Sequence, residues 1–220
     1  MKVLIACEFS GVVRDEFLKL GHDAVSCDLL PSESDFGPHI QGDVLDVIRA
    51  ENWNLMIAHP PCTYLTTGGN NGLFKNNPTR CKMRAEAFDF VMQLYNSHIP
   101  KICIENPQGY INTHFRAPDQ TIHPYMFGDP EMKRTCLWLK NLPKLYYTQT
   151  YAKQPEPKYF RKSGQNIGKK IYFTECGRMS AANGLTRWQL RSRTFPGIAR
   201  AMAVQWGSDC SQYFYEKYEK

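Results

Sequence analysis

The chain opens on a continuous apolar run, Lys2-Val-Leu-Ile-Ala-Cys7, which reads as a strand buried on both faces. After Glu8-Phe9-Ser10-Gly11 the period changes. Val13, Phe17 and Leu20 recur at helical spacing, and Gly21 ends the helix. A second strand over residues 24–27 leads to Asp28, and Gly42-Asp43-Val44 precedes a short helix running to Ile48. Residues 53–58 and 101–105 are further strands. Residues 66–81 are rich in turn formers and are expected to be a mobile loop able to close over a substrate. Residues 84–97 carry Ala87, Phe88, Val91, Met92 and Tyr95 at helical spacing, a pattern that reads as core. Strands alternating with helices predict an α/β fold with a parallel sheet, whose chemistry belongs at the carboxyl ends of the strands.

A length of 220 residues favours one compact domain over two full-sized ones. With 42% hydrophobic and 22% charged residues the chain is unlike a disordered tail, and no apolar run is long enough to span a membrane. The cysteines, Cys7, Cys27, Cys62, Cys81, Cys103, Cys136, Cys176 and Cys210, form no CxxC pair and follow no signal-peptide pattern, so reduced thiols in a cytoplasm are expected. The six histidines show no HExxH or close ligand set, and no metal is expected.

Charge is unevenly divided. Residues 1–110 carry 9 Lys and Arg against 13 Asp and Glu, whereas residues 111–220 carry 18 against 8. Between Lys158 and Arg193 nine basic residues face one acid, Glu175, with Tyr159, Phe160, Tyr172, Phe173 and Trp188 among them. That mixture suits a polyanionic backbone with splayed bases, although a solvated basic face has the same composition.

The candidate chemistry sits at the expected edge. The strand ending at Ala58 delivers His59-Pro60-Pro61-Cys62, and the prolines stiffen the approach to the thiol. The strand ending at Glu105 delivers Glu105-Asn106-Pro107 to the same edge. A thiolate adds to an electron-poor ring carbon, and a carboxyl sharing a proton with the ring nitrogen stabilises the charge so created. Read structurally, Cys62 is a small buried hydrophobe and Glu105 holds its loop through backbone hydrogen bonds. Asp28 is placed to take ribose hydroxyls and Asp43 an adenine amine, or each closes a turn or caps a helix. Gly11 alone does not make a dinucleotide fingerprint.

In order along the chain these pieces resemble the DNA (cytosine-5) methyltransferases, in a compact phage-like form. Phe9-Ser10-Gly11 is similar to the first cofactor motif, Asp28 to the ribose-binding acid, Gly42-Asp43-Val44 to the adenine contact, Pro60-Pro61-Cys62 to the nucleophile loop and Glu105-Asn106-Pro107 to the acid motif. The segment from Tyr125 to Arg134, Gly184 to Gly197 and the stretch after Ile198 resemble the family's later motifs and last helix. The resemblance implies a Rossmann-like sheet that binds S-adenosylmethionine through Phe9, Ser10, Gly11, Asp28, Leu29, Asp43, Val44 and Pro60. It implies catalysis by Cys62 and Glu105 on a cytosine, with Lys133 or Arg134 stabilising the flipped base or its phosphate. Thr63, Asn106, Lys158, Arg161, Lys162, Arg187 and Arg191 are the implied nucleic-acid contacts.

This chain departs from the family pattern at Val13 and Arg14, at Thr63, at Thr135 and at His59, where a small residue is usual. Residues 142–184 leave room for a small basic recognition segment alone, so target recognition is expected to be short, degenerate or shared with an accessory specificity protein. The expected activity is methyl transfer to cytosine C5 in DNA, flipped or unpaired, in a bacterial or phage-infected cytoplasm. The competing readings are a pyrimidine-modifying enzyme acting on RNA, a nucleotide or a modified base, and a catalytically silent nucleic-acid-binding protein.

Overall fold

The computed structural model describes residues 1–67, 72–149, 154–155, 159–160, 167–168, 170–171 and 191–208. Its apolar runs form a seven-stranded sheet: β1 (Lys2–Ala6), β2 (Asp23–Asp28), β3 (His39–Gln41), β4 (Leu55–Ala58), β5 (Lys101–Asn106), β6 (Gln120–Ile122) and β7 (Thr135–Lys140). Their spatial order is β3-β2-β1-β4-β5-β7-β6. Strands β1 to β5 run parallel, and β7 pairs antiparallel with both β5 and β6. Two short strands, β8 (Tyr159–Phe160) and β9 (Lys170–Ile171), form a separate antiparallel pair.

Helices cover both faces, as the two-sided burial of β1 and β4 demands. Val3, Ile5, Leu55, Ile57 and Cys103 pack under α1 (Val12–Lys19) and α5 (Pro196–Gly207). The alternate residues Leu4, Ala6, Met56, Ala58, Ile102 and Ile104 pack under α2 (Val44–Ala50), α3 (Pro78–Tyr95) and α4 (Tyr110–His114). The result is the doubly wound, Rossmann-like α/β architecture that the strand–helix alternation predicts.

Two boundaries differ from expectation. Helix α1 stops at Lys19, leaving Leu20 as an exposed C-cap rather than a core position. Helix α3 starts at Pro78 because Asn77 accepts a hydrogen bond from the Arg80 amide and a proline at the first position needs no donor, so the end of the expected loop is helical. Residues 68–71 of that loop lie outside the described residues.

Arg14 explains how α1 tolerates a basic residue on its inner side. Its side chain is fully buried, pairs with Asp15 and donates to Ser26 Oγ, Ser32 Oγ and the carbonyls of Ser34 and Pro38. A buried guanidinium is tolerated when its donors are satisfied in this way.

Candidate active site

The chain leaves β1 toward β2 on one side and returns to β4 on the other, so the strand order reverses between β1 and β4. Such a switch point opens a crevice at the carboxyl ends of the strands. Glu8 follows β1 there and His59 follows β4. The parallel register pairs Leu55 with Lys101 and Ala58 with Ile104, and its continuation by one residue sets His59 beside Glu105. His59 Nδ1 donates to Glu105 Oε2 at 2.6 Å, with the two side chains 9% and 10% exposed. Cys62 lies three residues beyond His59 and is half-buried.

The loops bearing Cys62 and Glu105 are tied together. Asn106 Nδ2 donates to the Pro60 carbonyl at 2.8 Å, the Tyr110 amide to the Leu65 carbonyl at 2.6 Å, and the Thr67 amide to the Gln108 carbonyl at 3.3 Å. A β-bridge joins Thr66 to Gly109. A Cβ at Gly109 would lie 1.9 Å from the Leu65 carbonyl oxygen, so this close approach requires glycine. Asn106, expected among the nucleic-acid contacts, is instead 2% exposed, and its amide holds the nucleophile loop.

Glu8 is the part of the site that the sequence pattern did not single out. Gly11 at the N-cap of α1 has no side chain to cap the helix, and Glu8 takes over: its carboxylate accepts from the Val13 amide at 2.7 Å, the Arg14 amide at 3.3 Å and Ser10 Oγ. A capless N-terminus three residues after a buried-strand acid was the available signal.

Electrostatics couple these groups. Burial pushes the Glu8 carboxyl up, against the pull of His59, two backbone amides and Ser10. Burial disfavours a charged His59, but the hydrogen bond and charge of Glu105 and the charge of Glu8 outweigh it and Lys133, so the imidazole is raised. Burial likewise opposes an ionised Glu105, yet His59 and Lys133 hold it below its ordinary value. Burial pushes the Cys62 thiol up and Glu105 adds to this, while Lys133 and Arg191 pull it back.

Lys133 earns that influence by position. Its Nζ donates to the carbonyls of Arg191 and Arg193 and lies 5.8 Å from the centre of the Phe195 ring. Arg134 is exposed and donates to Gln108 Oε1 at 2.6 Å, which places it on the rim of the Glu105 loop. Thr63 and Arg191 are exposed near the thiol. The other expected nucleic-acid contacts, Lys158, Arg161, Lys162 and Arg187, lie outside the described residues.

Of the expected cofactor residues, Phe9, Ser10 and Gly11 follow β1, Asp28 and Leu29 stand at the end of β2, Asp43 and Val44 follow β3, and Pro60 follows β4. Phe9 and Ser10 are buried, and Gly11, at φ 74°, turns the chain into α1. Asp28 Oδ1 accepts from the Leu30 amide and Asp43 Oδ1 from the Leu45 amide, so both aspartates do close local structure. Each keeps a second oxygen with no hydrogen bond among the described residues. Leu29 between them is 73% exposed, whereas Val44 and Pro60 are buried. Two acceptor oxygens and an exposed aliphatic side chain fit a cationic nucleoside that offers hydroxyl and amine donors. The first-turn amides of α1 taken by Glu8 would not serve an anionic group. Among the described residues no cluster of His, Cys, Asp and Glu could hold a metal ion, and no helix is long and apolar enough to cross a membrane.

No protein-family profile matches the chain, and no curated protein matches it significantly. Among solved structures it is similar to a DNMT2 triple mutant from Spodoptera frugiperda, with 16% identity and a TM-score of 0.39. That match covers 71% of this chain and 53% of the other, so the chain spans about half the length of that protein.

Proposed function

We propose that the protein transfers a methyl group from S-adenosylmethionine to C5 of a cytosine in DNA through a covalent bond between Cys62 and the base. The observation that carries this reading is the placement of a proline-framed thiol and a buried carboxyl on two clamped loops at one sheet edge. A ring bound between them would meet a nucleophile at C6 and an acid at N3.

Cys62 sulfur adds to C6, the C5=C6 electrons shift to C4=C5, and N3 takes a proton from Glu105. C5 is then nucleophilic. Bound S-adenosylmethionine would supply the electrophilic methyl group. Loss of the C5 proton to a base restores C5=C6 and expels the thiolate, while N3 returns its proton to Glu105. Lys133 and Arg191 favour the thiolate at the start and at release. Asp28 and Asp43 would hold the cofactor's ribose and adenine, with Leu29 against the ring. Because both reacting groups stand on a partly buried edge, the base must be flipped into the site or unpaired.

The test is transfer of a labelled methyl group to duplex DNA, single-stranded DNA, RNA and dCMP at equal nucleotide concentration. Label on cytosine C5 of DNA that disappears in Cys62→Ala is the expected result. Transfer that persists in Cys62→Ala overturns the nucleophile, and label confined to RNA or dCMP overturns the substrate.

A further inference from the structure

His59 has no part in the reaction just described, yet it is built into the centre of the site. It stands between two carboxyl groups contributed by the strands on either side of its own: Glu105 from β5, hydrogen-bonded at 2.6 Å, and Glu8 just past β1. Lys133 is the cation that faces the same group, and Cys62 follows it by three residues. Glu8 is committed to the amides of α1 and Glu105 Oε2 to His59, which leaves the second oxygen of Glu105 with no hydrogen bond among the described residues. A buried carboxyl with one oxygen fixed by an imidazole and the other open is oriented toward a ligand and not toward the protein.

We propose that His59 is the positioning residue of Glu105: its Nδ1–H fixes one carboxyl oxygen, so that the other faces pyrimidine N3 and carries the proton exchanged with it. The N3 role rests on the cytosine reading above. As the sulfur–C6 bond forms, the proton leaves Glu105 for N3, and the carboxylate left behind is stabilised by the Nδ1–H of His59. When the thiolate is expelled, the proton returns from N3 to Glu105, so the couple begins and ends each cycle with the same proton count. The hydrogen bond from His59 holds the carboxyl in one orientation before the base arrives.

Two measurements test this, one of them independent of activity. Ring-nitrogen NMR of the whole protein, with His59 assigned by loss of its signal in His59→Asn, should show Nδ1 protonated at all pH values and a titration above that of an ordinary histidine. In Glu105→Gln that titration should fall by about one unit or more. A His59 that titrates at its ordinary value, or that is indifferent to Glu105→Gln, overturns the couple. The second is the pH profile of covalent-adduct formation with a 5-fluorocytosine duplex. His59→Asn keeps an N–H near the Nδ1 position but cannot hold a charge; without the imidazolium that lowers Glu105, the high-pH loss of adduct formation should move up. His59→Leu should slow adduct formation about tenfold or more at every pH, with each variant's unfolding transition confirming that it folds. Superimposable profiles for wild type and His59→Asn overturn the role. No adduct from the wild type at any pH overturns the cytosine reading and the N3 role with it, while the NMR result still decides the couple.

Discussion

Asn106 donates its side-chain amide to the Pro60 carbonyl at 2.8 Å, and by that one bond the loop after β5 fixes the loop after β4. Both partners are buried. Asn106→Ala would strand the carbonyl without solvent, which costs about 1–3 kcal/mol. Urea unfolding should register that loss, and methyl transfer should fall in kcat more than in KM, because the displaced group is the nucleophile and not the binding edge.

Gly109 makes the same connection by contact. A methyl group there meets the Leu65 carbonyl oxygen at 1.9 Å, a backbone atom that cannot swing aside. Gly109→Ala should therefore part the two loops, lower Tm by several degrees and abolish adduct formation, as unfolding and intact mass would show together. An alanine variant with wild-type adduct yield would mean that the clamp is not needed.

Thiol chemistry offers a direct view of the site's charge. Burial pushes Cys27 up to about 11 and Cys103 well above its ordinary value, while Cys62 is raised by burial but drawn down by Lys133 and Arg191. Lys133→Ala removes the larger of those two cations and should slow alkylation of Cys62 several-fold near pH 8. Cys103 should remain unlabelled in both proteins. Peptide mapping after timed iodoacetamide treatment reads both.

The His59–Glu105 pair also sets a stability window. Glu105 is lowered in the folded state, so its contribution is present above the unfolded carboxyl value and fades as pH falls through the folded one. His59 is raised, so its contribution is complete below the unfolded imidazole value and fades as pH rises through the folded one. Glu8, raised by burial, favours folding on the acid side and partly offsets the loss there. Urea unfolding from pH 4 to pH 9 should show the loss above the imidazole range in wild type and a flatter profile in Glu105→Gln.

Arg14 is a structural keystone of the altered first motif. Arg14→Ala removes a fully buried guanidinium from Ser26, Ser32, Ser34, Pro38 and Asp15 and takes one hydrogen-bond donor from each of them. Breaking such a network costs about 3–5 kcal/mol. Denaturant midpoints of wild type and Arg14→Ala measure it; a loss under about 1 kcal/mol would contradict the network's importance.

The strands of the site were legible because β1, β4 and β5 are continuous apolar runs, and a strand buried on both faces can occupy little else than the middle of a parallel sheet. From that placement Cys62 and Glu105 follow at one edge. Glu8 was not legible: a polar residue after a strand is unremarkable until α1 folds back and finds no cap at Gly11. Arg14 looked like a departure from a glycine-rich turn, since its partners are scattered from Ser26 to Pro38 and no local pattern records them. Asn106 was read as a contact for a nucleic acid, whereas burial turned its amide inward. His59 stood out by its place beside the thiol, but its partner emerged from the register of two strands 46 residues apart.

The proposed reaction requires a covalent bond between Cys62 and a cytosine. Intact-mass spectrometry of the protein with S-adenosylmethionine and short duplexes containing 5-fluorocytosine tests it most directly, because fluorine at C5 blocks the proton removal that would release the thiol. The expected result is a mass equal to protein plus methylated duplex, absent in Cys62→Ala and in reactions lacking the methyl donor. A folded wild-type protein that gives no adduct across sequence-diverse duplexes would contradict such a bond.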